Sequence, residues 1–342
     1  MIVPKNILIV RTDRIGDVVL TLPLAGIIKK HYPNCKVTFL VNDYTKEIAK
    51  GNKLIDEVIT IKTAGDKIDL SSNLKEIKQR RFDSAIVVYP KFTVALLIFL
   101  SGIKKRIGSG YRWYSFLFNE KVFEHRKNAE RHELEYNINL LRKIGVNEEV
   151  NVSDVKFNLD INENSLIKVK SLLVESGIKE NENFVIVHPG SGGSSVDLPL
   201  SKFKELIEKI SALDDVRILL TGSEAERKIC DEISSGKRTI NFAGKLSISE
   251  LTALISLSKI FISNSTGPLH IAAALNVFVI GFYPKIIACS AKRWGPYNKN
   301  NIIFEPIIDC NNCTAEQCEN LDCMNSIDVG RVFDKVKTQL KN

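Results

Sequence analysis

The absences narrow this chain's class first. No apolar run approaches the roughly 20 residues that a helix needs to cross a bilayer. The longest candidate, Phe92 to Leu100, is too short. Nothing like a leader stands before the strand-like run in MIVPKNILIVR, so a cytoplasmic protein is expected. No G-x-G-x-x-G follows that first run and no G-x-x-x-x-G-K-[ST] occurs anywhere, which argues against dinucleotide enzymes and P-loop NTPases. A D-x-D pair is also missing. A diphosphate would therefore have to be neutralised by helix N-termini and side chains rather than by a carboxylate-bound metal.

What is present fits a globular chain of two ordinary domains: 342 residues, 44% hydrophobic and 26% charged. The formal net charge of +8 points to an anionic partner, whether nucleic acid, acidic lipid head groups or a phosphorylated sugar. Four of the seven cysteines crowd between Cys310 and Cys323, a pattern better suited to a metal clip than to disulfides in a reducing compartment.

The stretch with the most information is IFISNSTGPLHIAAAL, Ile260 to Leu275. A β-rich run stops at Ser263-Asn264-Ser265-Thr266-Gly267-Pro268 and an apolar helical pattern follows at once. Backbone N–H groups at such a helix start, with the macrodipole behind them, can hold an anion such as a phosphate. The same residues also read as an ordinary capped helix, with Pro268 at its first position.

The rest of the chain repeats this grammar. Lys5–Arg11 is a buried-type strand, Thr12–Asp17 a turn, and a helix through Leu20 and Ile27 follows, starting near Thr21 or kinking at Pro23. Further strands are expected at Lys36–Val41, Asp56–Ile61 and Ser84–Tyr89. From Gly102 to His132 the chain turns basic and aromatic. This region is either loops and an edge strand, or an entrance for an anionic amphiphile with Trp113, Tyr114 and Phe116 against a membrane or sugar rings. Glu135–Ile144 reads as a helix with Gly145 as its C-cap, and a linker lies between Asn151 and Asn183. In the second half, strands at Phe184–His188, Val216–Thr221, Ile240–Ala243 and Ile260–Ile262 all end in small, polar or Gly-rich turns. In an open α/β sheet such turns gather at the carboxyl edge, where ligands bind. Alternation of strands and helices implies parallel sheets covered on both faces.

The motifs Arg11-Thr12-Asp13-Arg14-Ile15-Gly16-Asp17, His188-Pro189-Gly190-Ser191, Thr221-Gly222-Ser223-Glu224, Phe242-Ala243-Gly244-Lys245 and Asn264-Ser265-Thr266-Gly267-Pro268-Leu269-His270 fall in the order seen in glycosyltransferase family 9. The chain thus resembles the ADP-heptose:lipopolysaccharide heptosyltransferases over essentially its whole length. The resemblance implies a GT-B α/β fold of two Rossmann-like domains facing across a cleft. Residues 1–160 would take the acceptor and 161–342 the nucleotide sugar, with a Cys-rich tail at 309–324. It implies Asp17 as catalytic base. Ser191, Thr221, Gly222, Glu224, Leu246, Ser265, Thr266, Gly267 and His270 would contact the donor, and Arg14, Lys91 and Arg112 the acceptor. Within that set Glu224 falls at the ribose, Leu246 at the adenine, and Thr266 and Gly267 at the diphosphate. Two departures stand out. The family commonly carries Asp at the position of Ser265, and a basic residue in the turn that here runs Ser194-Ser195-Val196-Asp197-Leu198-Pro199, which leaves the donor sugar open.

The implied partners are ADP-heptose and an anionic glycolipid, with peripheral contact at the inner face of the cytoplasmic membrane and no cofactor needed for catalysis. Binding of a nucleotide sugar without transfer, and a different nucleotide sugar, are the alternatives. Cys310, Cys313, Cys318 and Cys323 have the spacing of a structural zinc site, with reduced thiols or two disulfides as the competing readings. An RNA-binding knuckle fits poorly, because no Lys or Arg occurs from Asn300 to Ser326 while several carboxylates do, and such a surface repels a phosphate backbone.

Overall fold

The computed structural model describes residues 3–180, 182–308, 314–320 and 322–341. The chain divides into two compact units, Met1–Arg126 with Arg131–Asp160, and Lys127–Glu130 with Ile161–Asn342.

The first unit is built on a six-stranded sheet. Its strands are β1 (Asn6–Arg11), β2 (Lys36–Val41), β3 (Glu57–Thr60), β6 (Ser84–Val87), β7 (Lys105–Ser109) and β8 (Glu120–Val122), while β4 (Thr63–Ala64) and β5 (Lys67–Ile68) form a separate small hairpin. The sheet order is β3-β2-β1-β6-β7-β8, and every pair is parallel. Ile7, Leu8, Ile9 and Val10 are all fully buried. An unbroken apolar run is what a strand needs when both faces of its sheet are covered. The order reverses between β1 and β6, so the crevice outside their carboxyl ends is the natural ligand position.

Local chemistry explains the departures from the expected boundaries. The first crossover is two helices, Ile15–Val19 and Pro23–His31. Pro23 opens the second, where its missing N–H costs nothing. Glu133–Asn139 is helical and tightens into a 3-10 turn over Leu140–Ile144, which ends on Gly145 at φ +90°. The basic, aromatic stretch contributes both β7 and the short edge strand β8, with a 3-10 turn, Ser115–Leu117, between them. Tyr114 does not reach the surface. It is buried, and its hydroxyl donates to the Pro90 carbonyl, whereas Trp113 is 74% exposed.

The second unit repeats the plan with β9 (Phe184–His188), β10 (Arg217–Leu220), β11 (Thr239–Asn241), β12 (Ile260–Asn264), β13 (Phe278–Phe282) and β14 (Asn301–Phe304) in the order β11-β10-β9-β12-β13-β14, again all parallel. Here β9 and β12 flank the reversal, with Ser263 registered against His188. Beneath the sheet, Val185, Val187, Ile218, Leu220 and Ile262 pack with Phe203 and Phe282, whose rings meet edge to face at 5.5 Å. Cys318, Cys323 and Met324 join this core, as do Val329, Val332 and Val336 of the last helix, Val329–Lys341, which packs on the helix Leu200–Ser211. Each such valine contributes roughly 1.5 kcal/mol or more by burial, which helps hold the last helix to the body. No helix among the described residues is long and apolar enough to cross a membrane.

Candidate functional site

At the carboxyl edge of the first sheet the chain leaves β1 through Thr12–Arg14 into the helix Ile15–Val19. Asp17 lies in the first turn of that helix, where the dipole favours a carboxylate, and Arg14 is its N-cap residue. The centre of this edge is a residue absent from the sequence-based set. Arg11 is only 2% exposed. Its Nε donates to Asp13 Oδ1 at 2.8 Å, its Nη2 to Asp17 Oδ1, and its Nη1 lies 3.7 Å from Glu133 Oε1. Its guanidinium also stands over the Tyr89 ring at 5.9 Å. Burial opposes the charge on Arg11, but Asp17, Asp13 and Glu133 outweigh it and hold the side chain firmly cationic. Asp13 is the strained member. Burial pushes its carboxyl up to about 7, with Arg11 resisting and Asp17 adding to the rise. Tyr44 donates its hydroxyl to the Asp13 carbonyl at 2.7 Å, which fixes the turn.

Lys91 follows β6 and Arg112 follows β7, so both stand on the same edge as Arg14 and Asp17, and both are exposed. Lys91 Nζ lies 5.5 Å from the Tyr89 ring centre.

The donor-side candidates also gather on one edge. Ser191 follows β9, Thr221, Gly222 and Glu224 follow β10, Leu246 follows β11, and Ser265, Thr266, Gly267 and His270 follow β12. Thr266 caps the helix Gly267–Ala274 by position only, since its side chain makes no capping bond. The helix begins at Gly267, so Pro268 is its second residue. The loop after His188 turns through Gly192 and Gly193, at φ +58° and +72°, conformations that glycine adopts freely. The hydroxyl oxygens of Ser191 and Ser195 are buried there without a hydrogen-bond partner among the described residues. Orphaned hydroxyls at the carboxyl edge of the sheet, on the loop after β9 and next to β12, are what an anion would satisfy.

Two side chains absent from the sequence-based set hold this loop. Asn264 donates to the Pro189 carbonyl at 2.6 Å and accepts from Leu198 N at 2.9 Å, clamping both ends of the loop to the end of β12. Glu226 ties it to the next turn, accepting from Ser223 N at 2.7 Å and Ser223 Oγ at 2.8 Å, and also from the Gly192 backbone. Burial alone would raise the Glu226 carboxyl, but these donors and the nearby His188 outweigh it and leave it lowered. His188 is pushed down to about 4 by burial, against the pull of Glu226, so its ring is neutral as it bonds Thr221 Oγ1 through Nδ1 at 3.0 Å. The Ser223-x-x-Glu226 pair is a capping box, so Glu226 carried a local sequence signal for the cap. Its reach to Gly192 carried none.

A β-carbon on Gly190 would sit 1.8 Å from Glu226 Oε1. Gly190→Ala is therefore expected to drive Glu226 off its donors and lower stability by about 1–3 kcal/mol. In a Glu226→Ala background most of that loss should vanish, and equal losses in both backgrounds in urea melts would refute the contact.

Ser265 is also engaged. Tyr283, wholly buried, gives its proton to the Trp294 carbonyl at 2.8 Å and is hydrogen-bonded to the Ser265 side chain. Ser265 must then donate to the Tyr283 oxygen, which leaves only lone pairs for a ligand. Glu224 is 72% exposed and ion-paired with Arg227 at 2.7 Å. Gly244, at φ +71°, passes so close that a β-carbon there would meet Glu224 Oε2 at 2.0 Å. Leu246 is half-buried, and His270 is buried in the helix. Of the proposed metal ligands, Cys310 and Cys313 lie outside the described residues, and Cys318 and Cys323 are buried in the core of the second unit.

Comparison with known proteins places this geometry. The model of glycosyltransferase family 9 (heptosyltransferase) matches residues 71–324. A putative glycosyltransferase of Haemophilus influenzae is 30% identical over 308 residues, covering 86% of each chain. Lipopolysaccharide heptosyltransferase 3 of Escherichia coli is 26% identical over 299 residues, covering 84% of this chain and 85% of its own. Among solved structures, the E. coli ADP-heptose lipopolysaccharide heptosyltransferase II superposes with a TM-score of 0.79 at 18% identity, over 98% of both chains.

Proposed function

This chain belongs to glycosyltransferase family 9, with the GT-B fold, and from that premise we propose that it moves heptose from ADP-heptose onto a lipopolysaccharide core or a related anionic glycolipid, inverting the anomeric carbon. The observation that carries the donor half is the pair of orphaned hydroxyls of Ser191 and Ser195 on the loop that Asn264 clamps to the end of β12, the strand that leads into the helix starting at Gly267.

In this reading the diphosphate takes its hydrogen bonds from Ser191 and from the N–H groups of Thr266 and Gly267, with Thr221 and Gly222 shaping the neighbouring turn. Glu224 accepts from the ribose and Leu246 lies against the adenine. Ser265 accepts from a sugar hydroxyl, and His270 meets the donor from within its helix. Because Ser265 is neutral, the sugar is held there by a weaker bond than a carboxylate would make. In residues 1–160, Arg14, Lys91 and Arg112 meet the acidic groups of the acceptor. Asp17 takes the proton from the acceptor hydroxyl as that oxygen bonds to the anomeric carbon. The bond from that carbon to the diphosphate breaks, and its electron pair leaves with ADP. The reaction takes place where the acceptor lies, at the inner face of the cytoplasmic membrane. No step draws on a metal. A zinc ion on Cys310, Cys313, Cys318 and Cys323 would be structural, and the burial of two of these thiols fits a closed site. The zinc content of the purified chain tests that assignment.

The test of the donor is thermal stabilisation by ADP, UDP, GDP, CMP and NAD. A ligand bound only by the native state stabilises it by about 2.7 kcal/mol at a hundredfold excess over Kd. A shift with ADP, followed by ADP release with ADP-heptose and acceptor, is the expected result. A shift with UDP or GDP instead would remove heptose from the proposal, and no shift at all would remove the donor site.

A further inference from the structure

One feature of the first unit takes no part in donor binding or proton transfer. The helix Phe92–Leu100 carries no charged residue, yet it is not enclosed. Val94, Ala95, Leu97 and Ile98 are buried in the core, while Phe92, Phe99 and Leu100 face solvent. Phe92 and Phe99 are two turns apart, so they share one flank of the helix. The flank continues beyond the helix. Trp113 stacks on Phe92 with ring centres 4.9 Å apart. Arg106 stands over Phe99 at 5.3 Å and donates from Nε to the Leu117 carbonyl at 2.9 Å. That bond anchors the turn that holds Phe116, which is 65% exposed. A contiguous apolar surface of this kind marks an interaction site.

Charge decides the partner. From Ser84 to Asn119 the sequence contains no Asp or Glu, but it contains Lys91, Lys104, Lys105, Arg106 and Arg112. Lys91, Lys104 and Arg112 are exposed. A second copy of this chain docking through the same face would set like charges against one another, as a two-fold contact pairs identical patches. A bilayer with anionic head groups suits both parts of the surface. Apolar and aromatic side chains enter the interface, Trp113 sits at head-group depth, and the cations remain in the polar layer.

We infer that the exposed flank of the Phe92–Leu100 helix, extended by Trp113 and Phe116, is a docking surface for a membrane bearing anionic lipids. The helix starts directly after β6, at the edge that carries Arg14 and Asp17. The surface thus lies alongside the region assigned to the acceptor, and its purpose, though not its existence, rests on the glycolipid reading above.

The experiment is co-sedimentation of the full chain with phosphatidylcholine vesicles with and without phosphatidylglycerol, at low and high salt. Wild type should bind only when phosphatidylglycerol is present and should weaken as salt screens the cations. Phe116→Ser should bind about tenfold more weakly, the effect of losing one partly buried aromatic ring, and Lys104→Glu should also reduce binding. Because the vesicles hold neither donor nor acceptor, the result does not depend on the transferase reading. A far-ultraviolet circular dichroism spectrum and a urea midpoint unchanged from wild type certify that each variant is folded. Absence of binding to phosphatidylglycerol vesicles would overturn the inference, as would equal binding by Phe116→Ser. A Phe116-dependent dimer in sedimentation velocity would overturn it in favour of a second copy.

Discussion

Asp17→Asn should lower the rate of sugar transfer by about 10³-fold while leaving stabilisation by ADP unchanged. A positioned general base contributes roughly 10²–10⁴-fold, and asparagine keeps the shape of the side chain but cannot take a proton. The residues proposed to contact the donor all lie in the second unit and Asp17 in the first, so nucleotide affinity should not move. The substitution also keeps an oxygen for Arg11, whose Nη2 now donates to the carboxylate. A variant that folds, binds ADP and fails to transfer is the expected result in an ADP-release assay. A rate within fivefold of wild type would assign the proton to another group, and Asp13, on the same guanidinium, would be the next to replace.

Removing the cation beneath these carboxylates should cost much of the stability of the first unit. Arg11→Ala removes the buried guanidinium that Asp13, Asp17 and Glu133 share, while Arg126 still pairs with Glu133. Breaking a buried pair from one side costs about 3–5 kcal/mol. The loss should depend on pH. Asp13 is already raised to about 7 in the folded protein, mainly by burial and against the pull of Arg11. An acid whose folded pKa lies above its unfolded value takes up a proton on folding. Its ionisation therefore costs stability as pH rises from the ordinary aspartate range through about 7. Without Arg11 that cost grows, so urea midpoints of wild type and Arg11→Ala should lie closer at pH 5 than at pH 8. A gap that does not change with pH would mean that Arg11 acts through packing rather than charge.

Arg11 also shows where reading the sequence stops. It appears there as the last residue of a strand, and a strand-ending arginine is normally a solvated one. Its burial depends on Glu133, which is distant in sequence, and on Tyr89, two residues past the end of the neighbouring β6. Neither contact leaves a local trace. Glu226 shows a half-legible case. The capping box is visible in the spacing, but its second task, holding Gly192 and excluding a side chain at Gly190, comes from the adjacency of β9 and β10. Ser265 and Tyr283 pair because β12 and β13 are neighbours.

The sequence by itself determined four strands of each sheet and the chemistry of the turns that follow them, while β13, β14 and the helix Phe92–Leu100 came only from the structure. Apolar runs bounded by Gly, Ser, Asp and Pro specify buried strands and helix starts through interactions within a few residues, and the order of those turns carries the family resemblance. The tertiary structure alone decided which of these groups are satisfied and which have no hydrogen-bond partner among the described residues. Strand order brings carboxyl ends together from distant parts of the chain. Burial then raises the acid of Asp13, neutralises His188 and strands the hydroxyls of Ser191 and Ser195. The same holds for the Phe92–Leu100 helix. Its sequence is apolar all round and has no preferred side, so only packing determines that Phe92, Phe99 and Leu100 remain outside the core.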